Sequence, residues 1–233
     1  MCAVSSQIAD MWVDLLPVLL AMTISPARTL AVILLLHTPR STVTALSYVL
    51  GMVVAMMAQG AAMGAAMSIV GLAGSDRSAD LAVVVGTLYL VGGVILIAGA
   101  VKFARAPASG GGALGAALER LEHVDPRGSF KVGFGWIFAS PKQWVFVLTA
   151  VAVIYTAELR PIGSLANYLA FSILVQIAYL IIIGAYVVFQ DRVSRVLDAV
   201  FEWIRANLRA SATGLFAVFG IVFVIKGLSE LAG

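Results

Sequence analysis

The sequence predicts an all-α integral membrane protein with six transmembrane helices, arranged as two inverted three-helix repeats. Three observations support this fold class. Hydrophobic residues make up 61% of the 233 residues and charged residues only 12%, a balance outside that of soluble domains. Six apolar segments are each long enough to cross a hydrocarbon core about 30 Å thick. A Ser-Pro pair interrupts the first of these segments and recurs in the fourth.

Short polar connections separate most of the six segments. Pro39 discourages continuation of the first helix, and Ser41 or Thr42 can cap the second, which predicts a tight helical hairpin. A glycine followed by polar residues at 74–78 separates the second segment from the third. The predicted spans cover residues 11–37, 43–72, 81–101, 132–157, 164–189 and 211–228.

The longest connection divides the chain into halves of three spans each. Residues 102–131 contain three consecutive glycines at 110–112, followed by leucines at helical spacing among charged residues. This pattern predicts a flexible linker and then a short amphipathic helix on the membrane or on the bundle, with a solvated loop as the alternative. The predicted units are therefore 1–101, the linker, and 132–233.

A second amphipathic segment lies between spans five and six. Over residues 191–209, aliphatic and aromatic side chains recur on one helical face, while arginines and carboxylates occupy the other side. An interfacial helix at about 191–209 is the favoured interpretation. A helical extension of span five is the alternative.

The distribution of basic residues predicts the orientation of the chain. Ten of the 15 lysines and arginines fall in the first, third and fifth connections, and three fall on the opposite side. The positive-inside rule therefore places segments 102–131 and 190–210 in the cytoplasm and both termini outside it.

The two Ser-Pro pairs identify a candidate site. Proline removes a backbone donor and clashes with the preceding turn, so Pro26 and Pro141 should each interrupt a helix. Ser25 and Ser140 are natural N-caps, and the prolines fit the first position of a new half-helix. Because the second half is inverted, both half-helices should begin near the middle of the membrane and direct their positive dipole ends there.

Each break also carries a cation. Arg28 and Lys142 lie inside spans, and no acidic residue lies deep in any span to neutralise them. Unpaired cations at this depth cost about 2.5–3.5 kcal/mol each on insertion scales. Positive charge beside helix N-termini suits phosphate, sulfate or carboxylate, whereas a cation exporter would need carboxylates. The predicted substrate-binding residues are Ser25, Pro26, Arg28, Ser140, Pro141, Lys142 and Gln143.

Less specific interpretations compete with this site. The breaks can be proline kinks whose cations reach towards an interface or a lipid phosphate. For Gln59 and Gln176, inside spans two and five, helix-helix hydrogen bonding is favoured over substrate contact. Gly60 and Gly64 indicate close helix packing. For His37, at the end of span one, a cap or interface residue is favoured over a proton relay.

Several functional classes are disfavoured. The single Cys2 leaves no disulfide framework, metal cluster or electron-carrying cysteine pair. The spans offer no Ser-His-Asp set, metal-ligand cluster or paired carboxylate, so we expect neither an enzyme nor a cofactor or metal. Nothing in the net charge of +3 suggests nucleic-acid binding. The sequence identifies no energy source for transport. It also leaves the oligomeric state open, and a homo-oligomer is one of the alternatives.

These features together resemble a known family. Six spans, the Ser-Pro-x-Arg break at 25–28, the Ser-Pro-Lys break at 140–142 and a glycine-containing basic linker are similar to the GAP/Sap family. Its members are the glycopeptidolipid- and sulfolipid-addressing proteins of mycobacterial-type envelopes, within the LysE exporter superfamily. The resemblance implies a plasma (inner) membrane protein that helps deliver an envelope glycolipid to the cell surface, with a large lipid-export pump as a suggested partner.

Three functions are consistent with the sequence. The first is a transporter that holds the anionic or polar head group of a lipid at the two breaks while the lipid tails lie between helices or in the bilayer. The second is a non-transporting accessory subunit that scaffolds a lipid pump or synthase through the linker and the 191–209 helix. The third is an exporter of a small anionic solute such as an amino acid, as in other branches of the superfamily.

Overall fold

The computed structural model describes residues 2–69, 78–105, 121 and 124–232. Over these residues it is helical, without β-strands, and it contains nine helices. They are α1 (Cys2–Thr23), α2 (Pro26–Leu36), α3 (Ser41–Ile69), α4 (Ser78–Arg105), α5 (Pro126–Phe138), α6 (Pro141–Thr156), α7 (Pro161–Val175), α8 (Ile177–Val188) and α9 (Gln190–Ala232).

The nine helices form up to six membrane spans. Helices α3, α4 and α9 each contain a segment long and apolar enough to cross a membrane alone. Three bent pairs pass the same test together: α1 with α2 (56°), α5 with α6 (72°) and α7 with α8 (55°). Counting each pair as one broken span gives six, at the places the sequence predicts. The chain therefore has the helices of an integral membrane protein.

Two of the three breaks fall at the predicted prolines. Helix α2 begins at Pro26 and α6 at Pro141, each with proline in its first turn. Ser25 (φ −139°, ψ 103°) and Ser140 (φ −85°, ψ 113°) occupy the N-cap positions in extended conformation. The predicted breaks in the first and fourth spans are confirmed.

The third break, at Gln176, was not predicted. Its backbone (φ −97°, ψ 1°) separates α7 from α8 within span five. The amides of Tyr179 and Leu180 both donate to the Gln176 carbonyl at 3.1 Å, which starts the second half of the span. Neither proline nor glycine marks this position in the sequence, so no local signal predicts the bend.

Helix α9 joins two segments that the sequence separated. Its 43 residues run without interruption from Gln190 to Ala232. At 1.5 Å per residue it is about 65 Å long, more than the 40–45 Å of a whole bilayer. The segment 191–209 is therefore helical as expected, but it continues into span six rather than extending span five. The position of segment 191–209 at the membrane surface stays a prediction.

The predicted linker is mostly beyond the part of the chain that the structure describes. The glycine-rich stretch and most of the amphipathic helix predicted after it lie outside the described residues, as does the connection at 70–77. Leu121 and Val124, from the end of that predicted helix, pack against the core. Asp125 then caps α5 by accepting a hydrogen bond from the Gly128 amide at 2.9 Å.

Helices α4 and α9 pack against each other antiparallel through glycines. A Cβ atom added to Gly227 would lie 2.8 Å from the Gly86 carbonyl oxygen, and one added to Gly93 would lie 3.0 Å from the Gly220 carbonyl oxygen. The two backbones are therefore in direct contact at two levels of the bundle, seven residues apart on each helix.

Spans two and four are similarly close. Gly51 lies against the Phe130 carbonyl and Gly133 against the Tyr48 carbonyl. Further along α3, Gly60 lies against the ring of Tyr168. The close packing expected around Gly60 is thus confirmed, and these contacts bring α3 to the break of span four.

Both arms of the broken first span are tied to α9. Near the start of the span, Lys226 Nζ on α9 donates to Asp14 Oδ1 on α1 at 2.7 Å. At its other end His37, the C-cap of α2, has Nε2 at 2.9 Å from Asp198 Oδ1 on α9. His37 is therefore a helix cap, as favoured from the sequence.

Candidate functional site

Arg28 joins the two arms of the first break. It lies in the first turn of α2 with only 3% of its surface exposed. One guanidinium nitrogen, Nη2, donates to the carbonyl of Met22 in the last turn of α1. The guanidinium carbon also lies 5.7 Å from the centre of the Tyr179 ring, within cation-π range. These contacts hold the side chain inside the bundle rather than at an interface.

A second carbonyl freed by this break is satisfied from the other half of the chain. Tyr179 Oη on α8 donates to the Thr23 carbonyl at 3.0 Å. A backbone carbonyl at membrane depth needs such a partner, because lipid offers none. Tyr179 therefore stabilises the broken end of α1 with its hydroxyl and Arg28 with its ring.

The second break is closed in a similar way. Trp144 Nε1 on α6 donates to the Phe138 carbonyl at 2.7 Å, six residues back along the chain, as Arg28 does at the first break. Gln59 Nε2 on α3 donates to the Ile137 carbonyl at 3.3 Å. Each break is thus capped once from its own span and once from the opposite half. Gln59 makes the helix-helix hydrogen bond that was favoured for it.

The serines do not cap their helices with their side chains. The hydroxyls of Ser25 and Ser140, both half-buried, make no capping hydrogen bond, although the residues occupy N-cap positions. At the second break the backbone N–H of Gln143 donates to the Ser140 carbonyl at 3.0 Å. This N–H is one of the usual targets of a capping side chain. The capping bond expected from the sequence is therefore replaced there by a backbone bond.

Lys142 and Gln143 follow the second break. Lys142 is half-buried, and its Nζ lies 4.7 Å from the centre of the Phe216 ring on α9. Gln143 is only 2% exposed, and its Oε1 has no hydrogen-bond partner in the described part of the chain. Pro141, between Ser140 and Lys142, is exposed. The second break therefore presents a cation on an aromatic ring beside a buried acceptor.

The two cations are close enough for their charges to interact. The positive charge of Arg28 acts on that of Lys142. Neither cation forms an ion pair with any residue that the structure describes. Mutual repulsion without a carboxylate partner leaves a region that an anion would stabilise.

Some buried polar atoms around the breaks are left without partners. Arg28 Nη1 and Tyr48 Oη are donors of this kind, while Gln59 Oε1 and Gln176 Oε1 are acceptors like that of Gln143. Tyr48 on α3 is fully buried, and the charge of Arg28 acts on it. Such atoms are uncommon in folded proteins, so each needs a physical explanation.

Sequence reasoning missed Tyr48 and Tyr179. A tyrosine in an apolar span is usually a packing residue, and nothing local distinguishes these two from the other tyrosines. Trp144 caps the second break, a role that nothing local in the sequence predicts.

The chain matches a family model described as "Sap, sulfolipid-1-addressing protein" over residues 15–229. The matched region includes both Ser-Pro breaks and all but the last three residues of the long helix α9. No curated protein and no solved structure matches the chain.

Proposed function

The chain belongs to the Sap, sulfolipid-1-addressing protein, family, and from this premise we propose that it helps export an envelope lipid with an anionic or polar head group. The observation that carries the proposal is Arg28. It is buried within a broken span, in the first turn of a half-helix, and one of its guanidinium nitrogens has no partner. A cation in this setting is stabilised by an anionic ligand.

The head group binds at the two breaks. Arg28 supplies direct hydrogen bonds, and Lys142 adds positive charge from the second break. The first turns of α2 and α6 contribute the positive ends of their helix dipoles. The site residues proposed from the sequence remain Ser25, Pro26, Arg28, Ser140, Pro141, Lys142 and Gln143, while the lipid tails stay between helices or in the bilayer.

An inverted repeat gives this site its alternating access. Three correspondences support the repeat. The Ser-Pro breaks occur in the first span of each half. Gln59 of span two caps the break of span four, while Tyr179 of span five caps the break of span one. In the third span of each half, two glycines seven residues apart face the antiparallel partner helix. An approximate two-fold axis in the membrane plane would produce these relationships.

In the cell, the protein lies in the plasma membrane with both termini outside and with segments 102–131 and 190–210 in the cytoplasm. The basic residues of these two segments support this orientation. The proposed role is not catalytic and requires no cofactor.

One observation favours a second candidate, an accessory subunit that docks on a lipid pump or synthase. The first part of α9 presents an open, exposed face. Trp203 and Val196 on this face are each 60% exposed, in a part of the helix that the predicted topology places in the cytoplasm. This face of α9 consists of Arg192, Arg195, Val196, Ala199, Val200 and Trp203.

Comparing a deletion strain with its parent tests the proposal. Transport of a lipid predicts that one surface-extractable lipid disappears and accumulates inside the cell. Export of a small anionic solute, the third function, predicts normal surface lipids and intracellular solute accumulation.

A docking role predicts loss of the same lipid in a Trp203→Ala strain, together with loss of a large partner that co-purifies with the wild type. Normal lipids in the deletion strain would overturn the proposal.

A further inference from the structure

Tyr48 differs from the other tyrosines inside the bundle. It is fully buried on α3, yet its hydroxyl has no partner among the described residues. Burying a hydroxyl without a hydrogen bond opposes folding. The comparable hydroxyls all donate to backbone carbonyls, namely Tyr89 to Asp14 at 2.6 Å, Tyr168 to Met56 at 2.7 Å, Tyr179 to Thr23 at 3.0 Å and Tyr155 to Gly64 at 3.3 Å.

The surroundings of Tyr48 contain a second donor in the same condition. The positive charge of Arg28 acts on Tyr48, and Tyr179 lies close enough to affect it as well. Arg28 Nη1 is buried without a partner. Two buried donors, one of them on a charged group that acts on the other, therefore have no hydrogen-bond acceptor in the described part of the chain.

The free nitrogen of Arg28 is held in position. Nη2 is engaged by the Met22 carbonyl, and the guanidinium lies over the Tyr179 ring. A side chain fixed at two points loses little freedom when it binds a ligand. The planar guanidinium also suits oxyanions better than a lysine ammonium does.

We propose that Tyr48 is an anion-binding residue, whose hydroxyl and Arg28 Nη1 donate to two oxygens of one sulfate, phosphate or carboxylate group. This inference rests on the proposed function and names the direct contacts of its site. It places the oxyanion at the first break, within the first half of the chain. Lys142, whose ammonium lies on the Phe216 ring, then attracts the anion without bonding to it.

The proposed contact between the Tyr48 hydroxyl and an oxyanion also explains why this destabilising hydroxyl is present. Phenylalanine would fill the same volume without an unpartnered polar atom, so the ligand-free protein gains nothing from the tyrosine oxygen. The hydroxyl contributes only when an acceptor enters. A neutral donor beside a single arginine strengthens anion binding without adding another buried charge.

Two matched variants of the purified, detergent-solubilised full chain test the inference. Tyr48→Phe removes the unpartnered hydroxyl, and Tyr168→Phe removes one that is satisfied by the Met56 carbonyl. Thermal unfolding is followed while inorganic sulfate or phosphate is titrated at constant ionic strength against chloride. Nanodiscs that contain phosphatidic acid, compared with phosphatidylcholine alone, provide the lipid-borne oxyanion. Stabilisation by the free ions identifies a soluble source, and stabilisation only by phosphatidic acid identifies a lipid head group.

Tyr48→Phe is expected to unfold at the same or a higher temperature than the wild type without ligand, and to bind the stabilising oxyanion about tenfold more weakly. Tyr168→Phe should show the reverse, a lower unfolding temperature with unchanged affinity. If Arg28→Gln abolishes binding and Tyr48→Phe binds as the wild type does, the inference is wrong and the proposed function stands. If no oxyanion probe stabilises the wild type, the inference is wrong, and the surface lipids of the deletion strain decide the proposed function separately.

Discussion

Arg28 Nη2 donates a hydrogen bond to the carbonyl of Met22, while Arg28 Nη1 is buried without a partner. One side chain thus closes the break in the first span and still offers a charged donor. The kink interpretation explains the first contact, since the break needs a cap for its carbonyls. It does not explain why a charged donor remains unused in a buried position, which is what an anion site requires.

Replacing Arg28 with lysine separates these two roles. A lysine ammonium lacks the fixed fork of the guanidinium, so it cannot keep the Met22 bond in this geometry and also hold a donor at the position of Nη1. We expect Arg28→Lys to lose about 1.5–3 kcal/mol of stability when the charge-assisted bond to Met22 is lost. Thermal unfolding of the purified protein measures the change. Arg40→Lys, at an exposed position in the first hairpin, is the control and should behave as the wild type.

The cross-half cap at the first break makes a second prediction. Tyr179→Phe keeps the ring beneath Arg28 but leaves the Thr23 carbonyl without its hydroxyl partner. We expect a loss of about 1–3 kcal/mol in the free energy of unfolding. Tyr186→Phe, on the same helix, should cost much less because that hydroxyl only accepts a 3.5 Å bond from exposed Gln190. Equal losses in the two variants would show that Tyr179 is not a cap.

The glycine contact between α4 and α9 makes a third prediction. In Gly227→Ala the new methyl group would meet the Gly86 carbonyl oxygen at 2.8 Å, so the helices must separate. We expect a loss of about 1–3 kcal/mol. Gly214→Ala on the same helix meets nothing within 4 Å and should be neutral or stabilising, by up to about 1 kcal/mol. Unfolding in mixed micelles measures both, and a neutral Gly227→Ala would contradict the close packing.

The sequence predicts the parts of the fold that depend on local chemistry. Pro26 and Pro141 each follow a serine that fits an N-cap position, so the sequence could place the breaks where the structure has them. Pro17 has no such neighbour and lies inside α1 without ending it. The break at Gln176 has no such residue and depends on packing. The boundary expected between 209 and 211 came from hydropathy, which marks the edge of a membrane rather than the end of a helix.

The candidate site is partly predictable for the same reason. Arg28 stands out because a charge inside an apolar span is costly wherever the chain folds. The residues that complete the site, Tyr48 and Tyr179, come from other spans, and only the folded arrangement brings them to the break. The serines were overestimated as caps because proline and backbone hydrogen bonds alter the first turn.

The central claim is that the two breaks bind an anionic head group during export. The most direct measurement is the surface-extractable lipid of a deletion strain that expresses the double variant Arg28→Gln and Lys142→Gln. A second strain, with Arg40→Gln and Lys131→Gln, makes the same charge change at exposed positions. We predict that the first strain loses the surface lipid at a normal protein level in the membrane, while the second keeps it. Normal surface lipid in the first strain would contradict the account.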